Sequence, residues 1–168
     1  MLGARSRKRP DTGGTSMQST GSSHRALSYA DDIANGSSNI LLLAARVLLV
    51  LVLFLFGWSG SPTAGYVSSL GVPNAAFWSP VAISVEFIVS LSLMLGLATR
   101  YGALLGMLYV IVATVLAHRY WEYPPAQQLV QYTNFTKNLA ILGGLILVFV
   151  VGAGAFSIDR MLSKRQRD

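Results

Sequence analysis

Four long apolar stretches, separated by polar breaks, occupy most of the chain after residue 39. The first runs from Ile40 to Trp58 and is interrupted only by Arg46. The second begins at Pro80 and continues to Ala98, with Glu86 inside it. The third is Gly102 to Ala117, and the fourth is Lys137 to Phe156, where no charge follows the lysine. At about 1.5 Å per helical residue, such stretches match the roughly 30 Å hydrocarbon layer of a bilayer. The pattern predicts an all-α membrane protein, a four-transmembrane-helix bundle.

The breaks carry their own information. Pro80 suits a first helical turn. Thr99-Arg100-Tyr101 is a turn so short that the second and third helices must be antiparallel neighbours. Gly102-Ala103-Leu104-Leu105-Gly106 spaces two small residues as close helix approach requires. Between residues 59 and 79, Gly60, Pro62, Gly65, Gly71 and Pro73 exclude a single unbroken helix. The apolar side of that linker (Tyr66, Val67, Leu70, Phe77, Trp78) predicts a segment at the membrane interface, with Trp58 and Trp78 in an aromatic belt. The segment from His118 to Thr136 is polar and aromatic, with Pro124-Pro125 in its middle.

Residues 1–38 are rich in Ser, Gly, Thr and basic side chains and have no apolar period, which predicts a disordered tail. Arg5-Ser6-Arg7-Lys8-Arg9 is not followed directly by an apolar run, so a cleaved secretory signal is not expected. The expected division is a tail over 1–38, a membrane domain over 39–159 and a basic tail over 160–168.

Composition agrees with this layout. Hydrophobic residues make up 52% of the 168 and charged residues 12%, against roughly a quarter charged in soluble domains. The net charge of +6 comes mostly from the two ends, where it sets orientation and meets anionic lipid; no nucleic-acid partner is implied. Arg5, Arg7, Lys8, Arg9, Arg25, Arg100 and the basic residues of the C-terminal tail fall on one side of four spans, and only Arg119 and Lys137 on the other. By the positive-inside rule both termini are cytoplasmic. The absence of cysteine excludes a disulfide framework, a thiol relay, an iron–sulfur site and a thiolate zinc site within the chain. His24 and His118 are the two histidines and only His118 adjoins a span, which rules out a bis-histidine haem inside one subunit.

The polar residues set in or beside the spans are the candidates for chemistry. Asn134, Lys137 and Asn138 are spaced i, i+3, i+4, so one cation and two amides share a helical face at the mouth of the fourth span. Counted from Pro80, Glu86 lies roughly 9 Å into its helix. A charge there costs about 2.5–3.5 kcal/mol on insertion scales, so it faces the bundle interior with a partner or carries a proton. His118, Trp121 and Glu122 share a face if the third helix continues that far. A cluster of Glu86, His118, Asn134, Lys137 and Asn138 near the external surface can bind a ligand or handle protons. Its plain alternative is interhelical hydrogen bonding with snorkelling at the interface. Arg46, roughly 9 Å in from the cytoplasmic end, is expected first to snorkel to the inner headgroups; a pairing with Glu86 or a ligand contact are the other options.

Taken together, several of these stretches resemble the DoxX family of small bacterial inner-membrane proteins. They are Arg46 in the first span, Phe56-Gly57-Trp58-Ser59 at its end, Leu70-Gly71-Val72-Pro73 in the linker, and Glu86 with Leu95-Gly96-Leu97-Ala98-Thr99-Arg100. His118-Arg119-Tyr120-Trp121 and Asn134-Phe135-Thr136-Lys137-Asn138-Leu139-Ala140-Ile141-Leu142-Gly143-Gly144 follow in order. The resemblance implies a four-helix membrane protein; some members of the family look like subunits of membrane oxidoreductases, quinone-linked thiosulfate oxidation included, or act in assemblies against oxidative stress. Many members of the family have no assigned activity. A lysine the family often carries after the Gly57-Trp58-Ser59 position is replaced here by Gly60-Ser61-Pro62, so its role does not carry over.

The expected function is the membrane subunit of a redox assembly. The chain has no cofactor motif of its own, and a quinone is the expected cofactor, with a soluble or membrane redox partner. The alternative is a non-enzymatic anchor or scaffold that uses the basic C-terminal tail. A transporter ranks last, because four spans leave little room for a pathway unless the protein is a homo-oligomer.

Overall fold

The computed structural model describes residues 21–59 and 63–165, with side chains described from 31 to 55 and from 63 to 165. Its elements are helical throughout: α1 (Gly21–Ser59), α2 (Ala64–Ser69), α3 (Ala75–Leu95), α4 (Thr99–Ala117), a 3-10 turn (Tyr120–Glu122), α5 (Pro125–Val151) and α6 (Ile158–Arg165). Four stretches are long and apolar enough to cross a membrane: Asp31–Leu55, Ala75–Leu95, Thr99–Glu122 and Pro125–Val151. The chain divides at residue 36, and the packing described below is that of the part after it.

Several boundaries differ from those predicted. The tail expected to be disordered lies outside the described residues as far as residue 20, and α1 is described from Gly21. Ala26, Leu27, Ala30 and Ala34 are good helix formers, and a helix nucleated in the apolar span extends into them at little cost. His24 and Trp58 fall outside the described side chains. Helix α3 begins at Ala75 rather than Pro80. Its first turn closes on the Asn74 carbonyl, which accepts from Phe77 N (2.9 Å) and Trp78 N (3.2 Å), and Pro80 sits inside the helix. Helix α5 starts at Pro125, with proline in the first turn, twelve residues before the apolar stretch that marked it in the sequence. It ends at Val151, where Gly152 takes φ +84° and stops it.

One core joins the four spans: Val50 and Leu53 of α1, Val89 and Leu93 of α3, Ala103 and Val110 of α4, and Ile141, Leu145 and Val148 of α5. The glycine pair works as its spacing predicts. Gly102 is packed against Ser92 of α3, and a Cβ on Gly106 would stand 3.0 Å from Val89 Cγ1, so both let α3 and α4 approach closely. Outward positions such as Leu48, Phe87, Leu104 and Leu147 are large, apolar and exposed, as lipid-facing positions of a membrane bundle are. The linker folds into α2, whose start is capped by Thr63 Oγ1 accepting from Tyr66 N (3.2 Å).

The opposite end of the bundle is closed by polar contacts. Arg46 is fully buried and donates from Nη1 to Leu93 O (3.5 Å) and from Nη2 to Phe156 O. This corrects the expectation that it snorkels: the last turn of α3 and the loop before α6 offer carbonyls to both terminal nitrogens, while Nε stays buried with no hydrogen-bond partner among the described residues. Asp159 accepts from Ala98 N (2.7 Å), Thr99 N (3.0 Å) and Thr99 Oγ1 (2.9 Å), capping α4 from sixty residues away. Arg100 Nη2 donates to Val150 O (3.3 Å) in the last turn of α5. Asn39 Oδ1 accepts from Ala155 N (2.9 Å).

Candidate functional site

Helix starts fix the height of each polar side chain. Because α3 begins at Ala75, Glu86 lies about 16 Å along it, deeper than the distance counted from Pro80 suggests. Likewise α5 begins at Pro125, so Asn134 is about 14 Å along it, and the polar face that looked like a helix mouth sits within the helix. Helix α4 runs antiparallel to α3, which brings Tyr109 to the level of Glu86.

These residues surround one cavity of about 1110 Å³. Its walls come from α1 (Val52, Leu53), α3 (Val81, Val85), α4 (Leu105, Val112) and α5 (Ile141). Helix α2 and the chain after it supply Tyr66, Val67 and Val72 at the end that carries the 3-10 turn. Most of the lining is apolar, with a few polar groups converging from different helices, the composition of a small-molecule site. Glu86, His118, Asn134, Lys137 and Asn138 all line it. The cluster expected from the sequence therefore gathers at one cavity.

The polar groups are paired in a definite order. Tyr109 Oη donates to Glu86 Oε2 (3.2 Å). Lys137 Nζ donates to Asn134 Oδ1 (3.1 Å). Asn138 Nδ2 donates to Thr114 Oγ1 (2.9 Å), and Thr114 Oγ1 donates in turn to Val110 O (2.6 Å) within its own helix. His118 Nδ1 meets Gln131 Oε1 at 2.8 Å. At the α2 end, burial and the nearby Tyr123 push the Tyr66 hydroxyl above the usual tyrosine range.

Three candidates stand apart. Trp121 does not share a helical face with His118, because α4 ends at Ala117 and His118 turns out of it at φ −125°. The indole is exposed and packs edge-on against Tyr120 (ring centroids 5.1 Å apart) and Phe135 (6.1 Å). Glu122 pairs with Arg119 (3.2 Å) on the surface. Arg46 is not among the cavity residues; its contacts are those of the far end. Two further residues of the site, Tyr109 and Thr114, carry no signal in the sequence. Tyr109 is hidden in an apolar run, and nothing in its spacing from Gly102 or Gly106 assigns it to Glu86 without the pairing of α3 and α4. Thr114 reads as an ordinary small residue of a packed helix.

The DoxX family model matches residues 41–119, from α1 to the end of α4. The Escherichia coli (strain K12) inner membrane protein YphA is 33% identical over 125 residues, covering 72% of this chain and 89% of that protein. Inner membrane protein YqjF of the same organism is 33% identical over 128 residues, covering 74% and 93%. The chain belongs to the DoxX family. The family match takes in Arg46, Glu86, Tyr109, Thr114 and His118 of this DoxX protein and stops short of its α5 amides and lysine. A 28% identity over 133 residues also links it to the ER-derived vesicles protein ERV29 of Saccharomyces cerevisiae, of which it spans 36%. No solved structure matches. This DoxX protein is a multi-pass membrane protein with four helices of spanning length. Among the described residues, no three of His, Cys, Asp and Glu are grouped to hold a metal ion.

Proposed function

We propose that this DoxX protein is the membrane subunit of a redox assembly in the bacterial inner membrane and that its cavity holds a quinone. The observation that carries the reading is the convergence of Glu86, His118, Asn134, Lys137 and Asn138 on one apolar-walled cavity. A quinone has an apolar ring and tail with two polar oxygens, which suits apolar walls with a few hydrogen-bonding groups. In this reading both termini are cytoplasmic, residues 39–159 form the membrane domain, and the cavity opens toward the periplasmic side. Lys137 and Asn134 hold a ring oxygen, and Glu86, fixed by Tyr109, exchanges protons with it. Electrons come from a soluble or membrane partner.

Equilibrium binding of a short-chain quinone pair to the full chain in nanodiscs tests the reading. Binding by the native protein that weakens at least severalfold in Glu86→Gln and Lys137→Met supports it. No binding of either redox form sinks it. A reporter fused to the C-terminus tests the orientation, and activity only outside the cytoplasm reverses it.

A second reading, a membrane anchor for a partner protein, rests on α6, where Arg160, Lys164 and Arg165 are all exposed. Loss of a co-purifying partner on deletion of residues 163–168, with quinone binding absent, would favour it.

A further inference from the structure

The hydrogen bonds around the cavity fix which polar atoms are left for a ligand. A threonine hydroxyl has one proton, and that of Thr114 is given to Val110 O. Thr114 Oγ1 can therefore only accept from Asn138, so the amide must present its NH₂ to Thr114. The amide oxygen of Asn138 remains as an acceptor. The same reasoning applies to His118. Gln131 Oε1 can only accept, so Nδ1 carries the hydrogen, and in the neutral ring Nε2 is left as an acceptor. On the other side, Asn134 Oδ1 is taken by Lys137, which leaves the Asn134 NH₂ as a donor beside the ammonium.

The cavity thus offers acceptors and donors together. A ring carbonyl can only accept, so it pairs with the donors and leaves the Asn138 and His118 acceptors without a partner. A ring hydroxyl accepts from Lys137 or Asn134 and gives its own proton to Asn138 or His118. We infer that the site selects the hydroxyl-bearing, reduced form of its ligand, a hydroquinone over the quinone, and that Thr114 is the positioning residue that sets this preference by fixing the amide of Asn138. The inference rests on the quinone reading above and adds to it the redox form that is held and the residue that decides it.

The test compares decylubiquinol with decylubiquinone, both bound to the full-length protein in nanodiscs without oxygen. One hydrogen bond gained predicts binding of the hydroquinone tighter by about fivefold. In Thr114→Val the hydroxyl is gone, the Asn138 amide is free to turn, and the ratio falls toward one while binding of the quinone persists. Thr114→Ser keeps the hydroxyl and keeps the preference. Asn138→Asp keeps an acceptor and keeps it as well, whereas Asn138→Leu abolishes it. Equal affinities in the native protein, or tighter binding of the quinone, overturn the inference and leave the quinone reading standing. An unchanged ratio in a folded Thr114→Val overturns the role of Thr114. Failure of both forms to bind overturns the quinone reading itself, and this inference with it.

Discussion

Asp159 and Thr99 lie sixty residues apart, yet the carboxylate of one closes the helix begun by the other. Ala98 stands at the cap position of α4 with φ +49° and has no polar side chain to offer, so the first turn depends on a residue from α6. Oδ1 takes the Ala98 N–H, and Oδ2 takes both the backbone and the hydroxyl of Thr99. A negative charge at a helix N-terminus is favoured by the helix dipole as well. The buried Arg46 lies close enough for its charge to act on Asp159.

Replacing Asp159 with Ala should cost about 1–2 kcal/mol, the usual range for a lost cap, and Asp159→Asn should cost less because one oxygen is kept. Thermal unfolding in a mild detergent measures both. If Asp159→Ala melts with the native protein, the cap contributes nothing.

The same carboxylate gives a pH dependence with a fixed sign. Burial pushes its pKa up, but hydrogen bonds from Thr99 and Ala98 and the charge of Arg46 outweigh that and hold it below the usual aspartate value of 3.8. A depressed folded pKa means stability that is present above the unfolded value and lost as pH falls through the folded one. Unfolding temperature should therefore drop below pH of about 4 in the native protein. Asp159→Asn should show a shallower drop over the same range.

Two glycines should respond in opposite ways to alanine. Gly96 has φ +64°, and a Cβ there would collide with Arg46 Nη1 and the Ser157 side chain. Gly96→Ala should destabilise by about 1 kcal/mol or more from the backbone alone, with the collision adding to it. Gly143 lies within α5 with nothing within 4 Å of an added Cβ, so Gly143→Ala should be neutral or stabilising by up to about 1 kcal/mol. Equal effects at the two positions would show that the Arg46 packing is not as described.

Arg46→Ala should destabilise by about 3 kcal/mol, since it empties a fully buried site and leaves the Leu93 and Phe156 carbonyls without their donor. Arg46→Lys should recover little, because one ammonium on a flexible stem does not reproduce a planar fork. Because Arg46 is absent from the cavity wall, ligand binding measured on the surviving folded fraction should be unchanged. Altered affinity there would tie the two ends of the bundle together.

Tyr109→Phe removes the hydroxyl held by Glu86 and little else. Binding of either redox form should weaken by about fivefold, worth one hydrogen bond, with a stability change under about 1 kcal/mol. Binding as tight as in the native protein would free Glu86 from dependence on Tyr109.

Much of this architecture was legible in the chain itself. Four apolar stretches, the short Thr99-Arg100-Tyr101 break and the Gly102/Gly106 spacing determined a four-span bundle with α3 and α4 as antiparallel neighbours, because a bilayer forces helices of fixed length. The i, i+3, i+4 spacing of Asn134, Lys137 and Asn138 determined that they share a face, since helical periodicity is local. Helix ends were not determined in this way. Polar residues such as Gln127, Gln128 and Gln131 extend α5 outward as readily as a loop would hold them, and apolar content cannot register that. Only the tertiary structure decided that Arg46 turns inward to Leu93 and Phe156, that Asp159 caps α4, and that Tyr109 and Thr114 belong with Glu86 and Asn138. Each of these is a pairing between distant segments, set by the relative rotation and height of packed helices. That information lies in the side-chain packing of the whole bundle and in no single stretch of the chain.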